Sequence, residues 1–164
     1  MKESAFSFQL RKDIYASIGK KHKPHVYLIQ DSYRSGKKPY DFYFLYGKYF
    51  YAIECKVCKG MSLNFDMVLQ NQIDSLFEVE KCGSVGRGYV AIFLEKYDKK
   101  KTLIIPVFHW VALLKTYAQD AKSIKIEEFI NSHPDWYEIM ERRKVDNHLQ
   151  WDAHGAIVSY EKRY

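Results

Sequence analysis

Asp41, Glu54 and Lys56 are the residues whose types and spacing suggest chemistry. They lie in one stretch, PYDFYFLYGKYFYAIECKVCK, in which two aromatic-rich runs flank a Gly-Lys pair. Glycine at the first loop position is typical of a two-residue β-hairpin turn, and such a turn fixes the register of the two runs. In this register Asp41 lies directly opposite Glu54. Lys56 follows on the same face, because side chains alternate along a strand.

Two carboxylates that face each other across a sheet call for a cation. Like charges in this position are destabilising, and placing them beside apolar residues costs further free energy. Mg²⁺ relieves both costs, since it takes oxygen ligands from one or two carboxylates and leaves other positions to water and phosphate. Lys56 could then orient a water or stabilise charge on a phosphate. The alternative is an exposed hairpin with a charged outer face.

The same residues resemble a known nuclease signature. Pro39-Tyr40-Asp41, followed after a strand-length gap by Glu54-Cys55-Lys56, is similar to the PD-(D/E)xK motif, with a tyrosine between the proline and the aspartate. Lys59-Gly60-Met61-Ser62-Leu63 and then Asn71-Gln72-Ile73-Asp74 follow. This order resembles the Holliday junction resolvases of archaea, phages and Gram-positive bacteria, the RecU-like group. The resemblance covers about residues 1–110.

The resemblance implies a Mg²⁺-dependent endodeoxyribonuclease that resolves four-way DNA junctions by paired symmetric cuts, with Mn²⁺ able to substitute. It implies a metal site formed by Asp41, Glu54, the Cys55 carbonyl and a glutamate carried by a helix. Glu3 is the best match for that glutamate, and Gln9 is the alternative. Glu3 could instead only compensate the dipole of its helix.

Gln72 is the remaining candidate for the catalytic group. It falls within the apolar stripe of a predicted helix, where a polar side chain needs a partner. It could bond only to the backbone, whereas the resemblance places a glutamine at the active site. The expected catalytic residues are therefore Glu3, Asp41, Glu54, Lys56 and Gln72.

The charge of the chain favours a nucleic-acid partner. The net charge is +6 and the sequence pI is about 9.0, which is the direction expected for binding a polyanion; the alternative is an ordinary basic surface. The loop DSYRSGKK ahead of Asp41 suits contacts to a DNA backbone, although it could be merely solvated. The expected DNA contacts are Lys21, Lys23, Ser32, Arg34, Ser35, Lys37, Lys38, Lys59 and Ser62.

The order of apolar patterns predicts an α/β domain with a mixed central sheet flanked by helices, of the restriction-endonuclease-like class. The chain of 164 residues is expected to form one nuclease domain, with a core over about residues 1–118 and a C-terminal extension over about 119–164. Helices are expected over residues 3–18, 63–81, 108–117, 126–130 and 136–143. Strands are expected over residues 26–30, 41–46, 49–57, 88–95, 102–107 and 148–151.

Composition bears on the oligomeric state, the role of the cysteines and the location of the protein. The chain has 14 Tyr and 10 Phe, an aromatic surplus that suits the interface of a homodimer, although these rings could fill its own core. The Cys55-x-x-Cys58 pair points to opposite faces of a strand, so it predicts buried side chains rather than a zinc site. No apolar run approaches a membrane span and the first residues lack a signal-peptide pattern, so we expect a cytoplasmic protein of a microbe or infected host, without a membrane partner.

Two other functions fit the same residues. One is a nuclease of restriction or repair type on the same fold. The other is a DNA-binding module that does no catalysis and keeps the acidic residues for structure. Intact Asp41, Glu54 and Lys56 argue against the second, because losing any one would disable metal chemistry.

Overall fold

The computed structural model describes residues 1–18, 24–29, 38–145, 148–153 and 155–157. Its helices are α1 (Glu3–Ile18), α2 (Gln70–Glu80), α3 (Val107–Tyr117) and α4 (Ile126–Ser132). Its strands are β1 (His25–Leu28), β2 (Phe42–Tyr46), β3 (Tyr49–Cys58), β4 (Ser62–Asn64), β5 (Gly86–Leu94), β6 (Lys101–Pro106), β7 (Ser123–Lys125), β8 (Glu138–Val145) and β9 (His148–Trp151). Among the described helices, none is both long and apolar enough to cross a membrane.

The described strands form a sheet of seven in the order β1-β2-β3-β5-β6-β8-β9, and β4 pairs with β7 apart from it. The β3–β5 pair is parallel and the other neighbours are antiparallel, so the sheet is mixed. Helices α2, α3 and α4 contribute to the apolar core on one face, and α1 contributes to the core on the other. The predicted α/β fold, a mixed central sheet flanked by helices, is confirmed.

The predicted hairpin has the expected register. Tyr46 pairs with Tyr49 and Phe42 with Ile53, and Gly47 takes the positive φ of 59° that the turn requires. Beyond the last ladder pair, the Asp41 N–H donates to the Ile53 carbonyl at 3.1 Å, which keeps Asp41 beside the strand that carries Glu54. The hairpin is not a peripheral charged ribbon, however, because β3 is a buried inner strand between β2 and β5.

Helix α1 matches the predicted helix over residues 3–18, and the spacing of its apolar residues explains its packing. Phe6, Leu10 and Ile14 follow one another at one-turn intervals and are each at most 1% exposed against the sheet. On the same helix, Asp13 accepts the Trp151 N–H at 3.0 Å, and this hydrogen bond joins α1 to β9.

Two predicted helices are wrong in part or in whole. The helix expected from residue 63 begins at Gln70, because Ser62–Asn64 pairs with Ser123–Lys125 as a short ladder and a 3₁₀ turn follows. The helix expected over residues 136–143 is instead β8, which pairs with β6 and extends the main sheet. In both places a partner that is distant in sequence overrides the local helical pattern.

Helix α2 lies unusually close to β5, because glycine leaves room for it. A Cβ added at Gly88 would lie 2.6 Å from the Leu76 carbonyl oxygen, and one at Gly86 would lie 1.9 Å from the Val79 carbonyl oxygen. The Gly88 N–H also donates to Glu80 Oε1 at 2.8 Å. The two glycines therefore set the distance between α2 and the sheet.

Candidate active site

The candidate site lies where β2 and β3 end their pairing, on the sheet face that α2 covers. The described ladder between the two strands stops at Phe42 and Ile53, one residue short of Asp41 and Glu54. Alternation along β3 places Glu54 and Lys56 on the same face as Ala52, which belongs to the core that α2 completes. Asp41, Glu54, Lys56 and Gln72 are all buried, and they make up most of the buried polar side chains among the described residues.

Glu54 is the most deeply buried of these groups, with a side chain that is 2% exposed. Its Oε1 is 2.8 Å from Lys56 Nζ and accepts a hydrogen bond of 2.6 Å from Gln72 Nε2. Its Oε2 is buried and lacks a hydrogen-bond partner among the described residues. Burial, followed by the charge of Asp41, raises the pKa of Glu54 to about 7, although Lys56 acts in the opposite direction.

Gln72 reaches Glu54 from the first turn of α2. Its Oε1 accepts the Leu69 N–H at 3.0 Å, so its Nε2 is directed to the carboxylate at 2.6 Å. The amide therefore has a partner at both ends, as a buried polar side chain requires. Because the helix begins at Gln70, this cap is available to Gln72; a helix starting at residue 63 would have placed it mid-helix.

Two donors hold Asp41, one at each oxygen of its carboxylate. Its Oδ2 accepts the Cys55 N–H at 2.8 Å, and its Oδ1 is 2.6 Å from Lys38 Nζ. The N–H and C=O of one residue in an extended strand point to the same side. The Cys55 carbonyl therefore faces the strand edge at which Asp41 lies. The Cys55 thiol is fully buried, and burial raises its pKa well above the ordinary value, so the backbone is the part of this residue that can serve the site.

The structure also places the two candidate residues of α1. Glu3 Oε2 is 3.9 Å from Lys56 Nζ, and the Glu3 side chain is 53% exposed. Gln9 instead donates to Asp13 Oδ1 at 2.8 Å, within α1. Glu3 is therefore the α1 residue that reaches the candidate site.

The donor set fits a hard divalent cation better than a softer metal. Among the described residues, no group of three or more His, Cys, Asp or Glu side chains is placed to hold a metal ion. Mg²⁺ does not need such a group, since it is commonly held by one or two carboxylates together with waters and phosphate oxygens. Asp41 and Glu54 supply the carboxylates, and Glu54 Oε2, which has no hydrogen-bond partner in the described part of the chain, is a buried oxygen that such an ion would satisfy.

The predicted DNA contacts are described only in part. Lys38, Lys59 and Ser62 lie within the described residues, whereas Lys21, Lys23, Ser32, Arg34, Ser35 and Lys37 lie outside them. Lys59 and Ser62 line a cleft of about 930 Å³ together with Lys2 and Glu3. The cleft is not lined by Asp41, Glu54 or Lys56, but it meets the candidate site at Glu3.

Lys38 has a contact that sequence reasoning did not foresee. It was expected to face DNA, and the structure places its ammonium against the carboxylate of Asp41. The spacing of three residues between them could have suggested the pair, but the segment has no helical pattern that would make such spacing meaningful. The hydrogen bond from the Leu69 N–H to Gln72 Oε1 was not predicted either, because the predicted helix begins at residue 63 and not at Gln70.

A similarity to known proteins is found among solved structures. No family model and no curated protein matches the sequence. Among solved structures, the chain is similar to Hjc from Archaeoglobus fulgidus, a Holliday junction resolvase from an archaeal hyperthermophile. The identity is 18% and the TM-score 0.45, over 73% of this chain and 86% of that one. Values this low do not carry an activity from one protein to another.

Proposed function

We propose that this protein is a metal-dependent endodeoxyribonuclease. The observation that carries the proposal is the buried Glu54 Oε2, which has no hydrogen-bond partner among the described residues, in a carboxylate whose other oxygen is 2.8 Å from Lys56 Nζ. A buried carboxylate whose pKa is raised to about 7 is costly to keep in a fold, and such groups concentrate at functional sites. A bound cation would offset that cost.

Asp41, Glu54 and the Cys55 carbonyl would hold Mg²⁺ or Mn²⁺, with Glu3 as a further ligand. When bound, the metal would supply Lewis acidity toward a phosphate and lower the pKa of a water. Lys56, with Nζ 2.8 Å from Glu54 Oε1, would position a water and stabilise charge that builds on the phosphate. Gln72 would keep the Glu54 carboxylate in place. The products would be a 5′-phosphate and a 3′-hydroxyl.

The proposed substrate is branched duplex DNA, with four-way junctions cut symmetrically. A junction needs two matched cuts, and the described part of one chain carries a single candidate site, so a C₂ homodimer would supply the second. Tyr27, Leu28 and Leu45 are exposed on β1 and β2 and could contribute to such an interface. Lys59 and Ser62 along the cleft, together with the basic segments preceding β1 and β2 in sequence, would contact the DNA backbone.

The test is cleavage of labelled four-way, forked and linear duplex DNA in Mg²⁺ or EDTA. Lys56→Ala should abolish cutting while leaving junction binding nearly intact, and Asp41→Asn should also weaken metal binding. Lys48→Ala, which removes an exposed lysine from the tip of the same hairpin, is the matched control. If Lys56→Ala cuts within about tenfold of wild type, about 1.4 kcal/mol of barrier, Lys56 has no part in the mechanism.

The same reactions test substrate and assembly. Paired nicks at symmetric positions, from a particle of twice the 19.5 kDa chain mass by light scattering, are expected for a dimeric junction resolvase. A monomer that nicks linear duplex as readily as junctions would instead indicate a nuclease of restriction or repair type. DNA binding without any cutting in Mg²⁺ or Mn²⁺ would indicate a binding module.

A further inference from the structure

The four carboxylate oxygens of Asp41 and Glu54 differ in their hydrogen-bond and ion-pair partners. Asp41 Oδ2 is bonded to the backbone N–H of Cys55, and Glu54 Oε1 is shared by Lys56 and Gln72. Glu54 Oε2 lacks a hydrogen-bond partner within the described part of the chain. Asp41 Oδ1 is 2.6 Å from Lys38 Nζ. Because the backbone holds Oδ2, a divalent ion that Asp41 helps to hold would compete with the Lys38 ammonium for Oδ1.

Lys38 and Lys56 differ in their exposure and in the part of the fold that carries them. Lys56 lies on the buried strand β3, its side chain is 9% exposed, and Glu54 and Glu3 both lie within 4 Å of its ammonium. Lys38 precedes β2, belongs to neither a helix nor a strand, and has a side chain that is 31% exposed. Because Asp41 is buried, its carboxylate needs a positive charge beside it, and a divalent ion can supply that charge in place of the more accessible Lys38 ammonium.

We propose that Lys38 is an exchangeable cation that pairs with Oδ1 of Asp41 and is released by a divalent ion to contact a DNA backbone phosphate. This inference rests on the proposed function. A divalent ion at Asp41 repels the nearby ammonium, and a phosphodiester oxygen is the anion that a released lysine beside a nuclease site would meet. Metal binding and DNA binding are then coupled through one side chain, because the metal frees a positive charge that the DNA uses.

The coupling predicts opposite effects of one substitution. Lys38→Met removes the competing ammonium and keeps most of the unbranched side chain. Without DNA, this variant should bind Mn²⁺ about threefold to tenfold tighter than wild type by calorimetry. In Ca²⁺, with the DNA checked to be uncut, it should bind a four-way junction more weakly, and it should lose the metal-dependent gain in affinity that wild type shows.

Two further variants make the result specific. Lys38→Arg keeps the charge and should retain most of the wild-type coupling. Lys59→Met removes an exposed lysine of the cleft, so it should weaken junction binding without changing Mn²⁺ affinity. Circular dichroism of each variant checks that the fold is unchanged.

The outcomes separate this inference from the proposed function. If wild type binds Mn²⁺ and cuts DNA but Lys38→Met binds Mn²⁺ no tighter, Lys38 is not in competition with the metal and the inference is wrong. If Lys38→Met binds Mn²⁺ tighter but keeps the full metal-dependent gain in junction affinity, the released lysine does not serve the DNA and the inference is also wrong. If wild type binds no divalent ion at all, the proposed function itself fails.

Discussion

Replacing Glu54 by glutamine should make the metal-free protein increasingly stable relative to wild type as the pH rises. The pKa of Glu54 is raised from 4.5 to about 7 by burial and by the charge of Asp41. The folded protein therefore holds this proton more tightly than the unfolded chain does. The stability that this contributes is present below pH 4.5 and is lost as the pH rises to about 7. The Glu54→Gln variant has no carboxyl group that titrates at this position, so its stability lacks this dependence on pH.

The magnitude follows from the two pKa values. The gap between 4.5 and about 7 corresponds to about 3 kcal/mol of unfolding free energy, of which about 2 to 3 kcal/mol should be lost between pH 5 and pH 8. The attraction of Lys56 acts on the ionised carboxylate and is already contained in the pKa of about 7, and the packing effects of the substitution are nearly the same at both pH values. The difference between pH values therefore isolates the titration of Glu54.

Urea unfolding of both proteins in EDTA at pH 5 and pH 8 measures this difference. The free energy of unfolding of Glu54→Gln, relative to wild type, should rise by about 2 to 3 kcal/mol between the two conditions. Glu78→Gln is the matched control, because Glu78 is an exposed carboxylate that pairs with Lys81 on α2. A relative stability of Glu54→Gln that is the same at both pH values would refute the assignment of a raised pKa to Glu54.

Two substitutions test the packing that supports the site. Gly88→Ala should destabilise the fold by about 1 to 2 kcal/mol in urea unfolding, because its Cβ would lie 2.6 Å from the Leu76 carbonyl oxygen, whereas a Cβ at Gly60 would lie 3.9 Å from the Ser62 nitrogen, an ordinary contact, so Gly60→Ala should be nearly neutral. Equal stability of the two variants would mean that α2 moves away from the sheet at no cost. Asp13→Ala should cost about 1 to 3 kcal/mol, since it leaves the buried Trp151 N–H without its acceptor, and Asp13→Asn should restore part of the loss. An unchanged unfolding midpoint for Asp13→Ala would show that this bond is dispensable.

The hairpin could be predicted from sequence because its determinants are local. Alternation of apolar residues sets the faces, and Gly47 sets the turn, so the register follows without knowledge of the rest of the chain. That register brings Asp41 to the strand that carries Glu54. The apolar stripe indicates that Gln72 needs a partner but leaves a backbone bond open, and its place at the site was an expectation from the family resemblance; the structure pairs it with both the Leu69 N–H and Glu54.

The errors occur where distant segments decide the structure. Ser62–Asn64 pairs with Ser123–Lys125, and Glu138–Val145 pairs with Lys101–Pro106, so both segments are strands although their local patterns favour helices. The Lys38 contact to Asp41 was missed because it depends on the path of an irregular segment. No periodicity in the sequence encodes such a path.

The hydrogen bond between the Trp151 backbone N–H and Asp13 joins residues that are 138 positions apart in the sequence. Because α1 is synthesised before β9, Phe6 and Leu10 have only the strands made before β9 to cover them until Trp151 is available. Glu3 belongs to the same helix, so a nascent chain can bring the hairpin carboxylates together before β9 fixes α1 in place. Contacts between such distant residues also slow folding, which makes the docking of α1 against β9 a late step in reaching the native state.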